Sequence, residues 1–157
     1  MTSEPSEQNR FLVDHVHRLL LCLRHWTGRN LVRAELPLEE QARELFHAPY
    51  VVLSHDSRVD PVLNYANRAG LNLFELTWEE LINLPSRRTA EPMHRSEREI
   101  LLASVARQGF IDDYRGIRIS KNGRRFLIEQ ATVWNLLDGH GAKCGQAATF
   151  SHWSFLD

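Results

Sequence analysis

The chain has 157 residues, 43% hydrophobic and 25% charged, the length and composition of one globular domain able to bury a core without a metal or disulfide staple. Its 19 basic and 20 acidic residues leave a net charge of −1, so no basic surplus exists to hold phosphates and nucleic acid is not an expected partner. The longest uncharged apolar run near the start, Leu19 to Leu23, is too short to span a bilayer, so no membrane association is expected either.

Residues 1–8 are polar and acidic and read as a disordered leader without secretory character. A helix follows from about Asn9 to Thr27, with Leu12, Val16, Leu19, Leu23 and Trp26 on one stripe and Gly28 placed to end it. A stripe that wide is more than a detached helix can expose, which makes these five residues the candidate dimerisation surface. Pro37 opens a second helix that runs to about His47, and Pro49 stops it. Residues 9–47 therefore form an N-terminal helical segment, and 48–157 a second unit of different grammar.

In that second unit Tyr50 to Leu53 and Val62 to Ala66 read as strands, with Asp60-Pro61 in the turn between them. Asn67 is placed to cap a short helix carrying Leu71 and Phe74, and Thr77 with Glu80 has capping-box spacing for another. Ser96 with Glu99 has the same spacing and predicts the start of a longer helix, with Ile100, Leu101 and Val105 on one face and Gly109 at its end. Tyr114 to Ser120 alternates like a strand, and Lys121-Asn122-Gly123-Arg124 is a hairpin turn. Phe126 to Leu137 reads as a central strand whose parity slips near Glu129-Gln130, as at a bulge. Lys143 to Phe155 is the last strand. The fold class is α+β, an antiparallel sheet of about five strands with short covering helices, preceded by the helical segment.

Chemistry is sparse. Cys22 and Cys144 lack metal or redox spacing and read as free thiols in a reducing cytoplasm. His15, Arg18, Cys22 and His25 share a helical flank, but an arginine inside that row opposes a cation, so no metal is assigned. Asp112-Asp113 and Glu79-Glu80 are explained by a strand start and a helix first turn. No nucleophile elbow or phosphate loop is present, and no catalytic residue is assigned. One mixed aromatic and polar set remains: Tyr65, Asn67, Phe74, Trp78, Arg118, Gln130, Trp134 and Gln146. It is the candidate ligand pocket, because a sheet roofed by helices holds small molecules in a mainly apolar space with a few polar groups. The competing reading, that the set is ordinary core, stays open.

The run Tyr65 to Thr77, the segment Ile128 to Trp134 and the ending His152-Trp153-Ser154-Phe155-Leu156 together resemble the MEKHLA domain family. The resemblance is to the C-terminal domain of plant class III homeodomain–leucine zipper regulators and, more closely, to stand-alone bacterial members. It implies a relative of PAS sensor domains: a sensory or regulatory, non-catalytic module that binds a small ligand or, alternatively, associates with itself or another protein. A homodimer is the expected state, with a small-molecule ligand and a protein partner as the expected associations and no cofactor named. Light-sensing flavin relatives carry a reactive cysteine in an Asn-Cys-Arg motif. The comparable loop here, Leu84 to Arg88, holds Ser86, which speaks against cysteinyl–flavin chemistry and leaves non-covalent flavin open.

Overall fold

Alternating apolar residues in the second half of the chain build a six-stranded antiparallel sheet, seen in a computed structural model that describes residues 2–156. Its strands are β1 (Val51–Asp56), β2 (Leu63–Ala66), β3 (Phe110–Ile119), β4 (Arg125–Leu137), β5 (Lys143–Phe150) and β6 (His152–Phe155). The order is β2-β1-β5-β4-β3, with β6 also paired to β4. The expected single last strand is thus two. It breaks at Ser151, opposite the point where β4 bulges, so that β5 pairs Thr132–Leu137 and β6 pairs Phe126–Glu129.

That bulge is the parity slip read from the sequence. Between the pairs Tyr114↔Ala131 and Gly116↔Ile128, β4 spends one residue more than β3, and Gln130 takes φ 55°. A matching irregularity on β3 between Ile111 and Tyr114 puts Asp113 at φ 54°. The effect is to turn Ile128, Ala131 and Val133 all to one face, the inner one, where strict alternation would have split them.

Helices cover both faces. On the outer face lie α1 (Val13–Thr27) and α2 (Leu38–Phe46). Right-handed helix begins at Val13 rather than Asn9, because Arg10, Phe11 and Leu12 take φ near +54° in a left-handed turn that swings Phe11 inward onto Phe46 and His47. The Trp134 indole donates to the Leu19 carbonyl (3.2 Å), and the Trp26 indole donates to Asn135 O (3.0 Å). The expected dimerisation stripe therefore faces this chain's own sheet: Val16, Leu19 and Leu23 are at most 1% exposed, while Leu12 and Trp26 are half-buried. Residues 2–8 also lie against the domain, with Thr2 O accepting from the Trp78 indole; residues 1 and 157 fall outside the described chain.

On the inner side are α3 (Arg68–Phe74) and α5 (Pro92–Gln108), with a 3-10 turn at Ser86–Thr89, while α4 (Trp78–Leu81) packs against the edge strand β2. Asn67 caps α3 as expected and also ties the layers together. Its buried amide accepts from Gly70 N and Val52 N and donates to Leu45 O and Tyr50 O. The Thr77–Glu80 capping box forms. The Ser96–Glu99 box does not: α5 starts at Pro92, whose fixed φ suits a first turn, and Ser96 lies inside the helix. Arg98, Leu101 and Val105 face the sheet, and Ile100, one position off that stripe, is 70% exposed. Gly109 ends α5 at φ 94°, where a side chain would run into the Trp26 ring.

Candidate functional site

Between the inner face of the sheet and α5 the side chains leave a cavity of about 70 Å³. Its wall is mostly apolar, with Leu53 from β1, Phe74 from α3, Leu101 from α5 and Ile128 and Val133 from β4. Buried polar side chains interrupt that wall, among them His55 on β1, Arg98 on α5, Arg118 on β3 and Gln146 on β5.

His55 is 8% exposed. Its Nδ1 lies 2.8 Å from Asp56 O. A carbonyl only accepts, so Nδ1 carries the proton and Nε2 is left as a bare acceptor. That Nε2 is buried without a partner. Burial holds the imidazole neutral, lowering its pKa to about 4, and the Arg98 charge acts in the same direction. Beside it in the register stand Gln146 on β5 and then Asn135 on β4. Gln146 Nε2 donates to Leu102 O (3.0 Å) and Asn135 Oδ1 (3.1 Å), and Asn135 Nδ2 donates to Val105 O (3.0 Å). This polar row bolts α5 to the sheet.

Arg98 is 7% exposed and donates from Nη2 to Ser86 Oγ at 2.7 Å. Burial, and then the charge of Arg118, push its pKa down to about 10. Arg118, 6% exposed, donates to Ile117 O (2.8 Å) and to Tyr114 Oη (3.1 Å), and the Tyr114 hydroxyl donates onward to the exposed Glu97 carboxylate at 2.8 Å. Among the described residues neither guanidinium has a carboxylate within 4.0 Å.

Of the eight residues proposed from sequence for the pocket, Phe74, Arg118 and Gln146 line this cavity. The other five lie elsewhere. Tyr65 shares the register of Ser54 and stacks near His15 of α1, on the outer side, with Trp78 against it. Asn67 is spent on the four bonds of its cap, Trp134 points to α1, and Gln130 is turned to solvent by its bulge. His55, Arg98 and Tyr114 were missed. Arg98 had a readable signal, since it interrupts the apolar i, i+3, i+7 stripe it shares with Leu101 and Val105. His55 had only its phase with Val51 and Leu53.

The other candidate groups are occupied locally. Asp112 Oδ1 accepts from Thr132 (2.6 Å), the chief reason its carboxyl sits low. His15 bonds Ser54 Oγ, Cys22 Sγ lies against Leu137, and Arg18 reaches Cys144 Sγ at 3.8 Å. Among the described residues no three His, Cys, Asp or Glu side chains converge as a metal site, and no helix is long and apolar enough to cross a membrane. A flavin does not fit here. Ser86 is engaged with Arg98, and the cavity is well below the several hundred Å³ that cofactor pockets occupy.

Solved structures share the fold at low identity. The PAS domain of a protein from Colwellia psychrerythraea superposes with a TM-score of 0.63 at 14% identity, covering 76% of this chain and 96% of that one. The light-state dimer of the fungal blue-light photoreceptor Vivid superposes with a TM-score of 0.60 at 15% identity, covering 87% and 92%. The fold is PAS-like. In sequence, the Homeobox-leucine zipper protein ATHB-9 of Arabidopsis thaliana is 32% identical over 100 residues, 64% of this chain, which spans only 12% of that protein's length. The model of the MEKHLA domain matches residues 13–155, so the matched region takes in α1 and α2 as well as the sheet, and the chain belongs to the MEKHLA domain family.

Proposed function

We propose that this domain is a non-catalytic sensory module of the PAS type, acting in the cytoplasm, that binds a small molecule in the cavity between its inner sheet face and α5. The observation that carries the reading is the unpartnered, buried Nε2 of His55 in the cavity wall. A buried acceptor left unbonded costs about 1–3 kcal/mol, and a ligand or a set of ordered waters donating to it recovers that cost. Gln146, the register partner of His55, and Asn135 bond the α5 carbonyls, so occupancy beside them would be felt by α5. A module that dimerises through Leu12, Val16, Leu19, Leu23 and Trp26 has less support, since most of that stripe is already covered within the chain.

Native mass spectrometry of freshly purified protein, joined to a thermal-shift panel of small metabolites, tests this reading. A co-purified mass or a stabilising compound is expected, and the response should vanish in Ala148→Leu, which fills the cavity from β5. A chain that carries nothing and responds to nothing would overturn it.

A further inference from the structure

The cavity has a definite electrostatic character. Two arginines, each more than nine-tenths buried, line the cavity from α5 and β3 without a carboxylate in reach, and Arg98 feels the charge of Arg118. Elsewhere in the chain the arginines in ion pairs, such as Arg29 with Asp112, are half-exposed and inexpensive. Burying a charge without a counter-ion is among the costliest arrangements a fold can hold, and Ser86, Ile117 and Tyr114 supply only neutral acceptors. The Glu97 charge reaches Arg118 only through the Tyr114 hydroxyl. A small anion between the arginines restores neutrality, with charge-assisted bonds of the stronger kind.

His55 adds a second demand. Its Nε2 accepts and cannot donate in the tautomer that Asp56 O fixes, so the group facing it must carry an O–H or N–H. Size supplies a third. At about 10–15 Å³ of such space per water, 70 Å³ takes roughly five to seven waters, or one small organic molecule. Apolar wall from Phe74, Ile128 and Val133 leaves room for a short hydrocarbon part.

Resting on the sensory reading above, we infer that the cavity is a site for a short-chain hydroxycarboxylate, its carboxylate held by Arg98 and Arg118 and its hydroxyl donating to His55 Nε2. Arg98 and Arg118 come from α5 and β3, so the anion joins helix to sheet.

Calorimetric titration of the full chain with lactate, propionate and propane-1,2-diol tests the assignment, because each of the other two differs from lactate by one group. Lactate should bind tightest. Propionate, lacking the hydroxyl, should bind about tenfold more weakly, the worth of one buried hydrogen bond. Propane-1,2-diol, lacking the charge, should lose at least about a hundredfold. Arg98→Met should abolish lactate binding yet melt at or above the parent temperature, because it removes an uncompensated buried charge; a purely structural arginine would lower the melting temperature. His55→Leu should keep lactate binding but erase its advantage over propionate, and Arg118→Met serves as the second charge variant if Arg98→Met fails to fold. If the diol binds as well as lactate, or if lactate binding survives both arginine variants, the anion assignment is overturned while the sensory reading stands. If none of the three binds and no mass co-purifies, both fall.

Discussion

The two faces of the sheet are built from neighbouring residues of the same strands and solve opposite problems. On the outer face Trp134, Leu19 and Leu23 interlock, and the two indoles that enter the layer, Trp26 and Trp134, both find carbonyls. On the inner face the same β4 places Val133 and Ala131 beside empty space, with two unneutralised arginines and an unpartnered histidine around it. Close packing is the ordinary state of a protein interior, and among the described residues the outer face holds one buried group without a partner, the Tyr65 hydroxyl. The inner face gathers a void, an unpaired histidine nitrogen and two unneutralised arginines in one place, which points to a role. The contrast lies between successive residues, one side chain up and the next down.

The largest expected effect breaks the outer face. Trp134→Ala should cost about 3–5 kcal/mol in a urea unfolding titration, the range for deleting a fully buried large aromatic side chain. Acid should act next, through one histidine on each face. His55 has its pKa lowered from 6.5 to about 4 in the folded chain, so the unfolded chain binds more protons between those values. The stability that neutral His55 contributes is complete above pH 6.5 and is lost as pH falls toward 4, with a ceiling of about 3 kcal/mol. His55→Leu should flatten that slope in unfolding curves taken from neutral to acid pH. His15 of the outer face is likewise lowered from 6.5 to about 4, by burial and then by Arg18, so His15→Asn should flatten the same acid limb by a similar amount.

A finer comparison uses adjacent residues. Ala147 is paired with Trp134 and shares its outer face, whereas Ala148 is paired with Val133 on the inner face; both border the cavity, Ala148 with its side chain. Ala147→Val should overpack and cost about 1–3 kcal/mol, and Ala148→Val should stay within about 1 kcal/mol of the parent. Thermal melts of the two variants side by side read the difference. Equal losses would mean that the inner face is packed like the outer.

Most of the architecture was legible because it rests on local rules: the caps at Asn67 and Thr77, the terminating Gly28 and Gly109, the hairpin at Gly123 and the parity slip at Gln130. The start of α5 was misread because Ser96 and Glu99 have the right spacing inside a helix as well as at its end. The α1 stripe was read correctly as apolar, but its destination was not: periodicity gives a face and not the partner of that face. The site was legible only in part for the same reason. Phe74, Arg118 and Gln146 come from three elements that the topology brings together, and the aromatic residues that looked most like a pocket went to the outer face or the α4 end. A cavity is a property of what side chains fail to fill, and no one-dimensional pattern carries it.

The most direct test of this two-faced account is a two-dimensional NMR titration of the full chain with lactate, following backbone amides together with the Trp indole N–H signals. The account predicts shifts concentrated at His55, Gln146 and the Arg98 stretch of α5, with the Trp26 and Trp134 indole signals unmoved. Shifts centred on those two indoles, or a spectrum unchanged at saturating lactate, would contradict it.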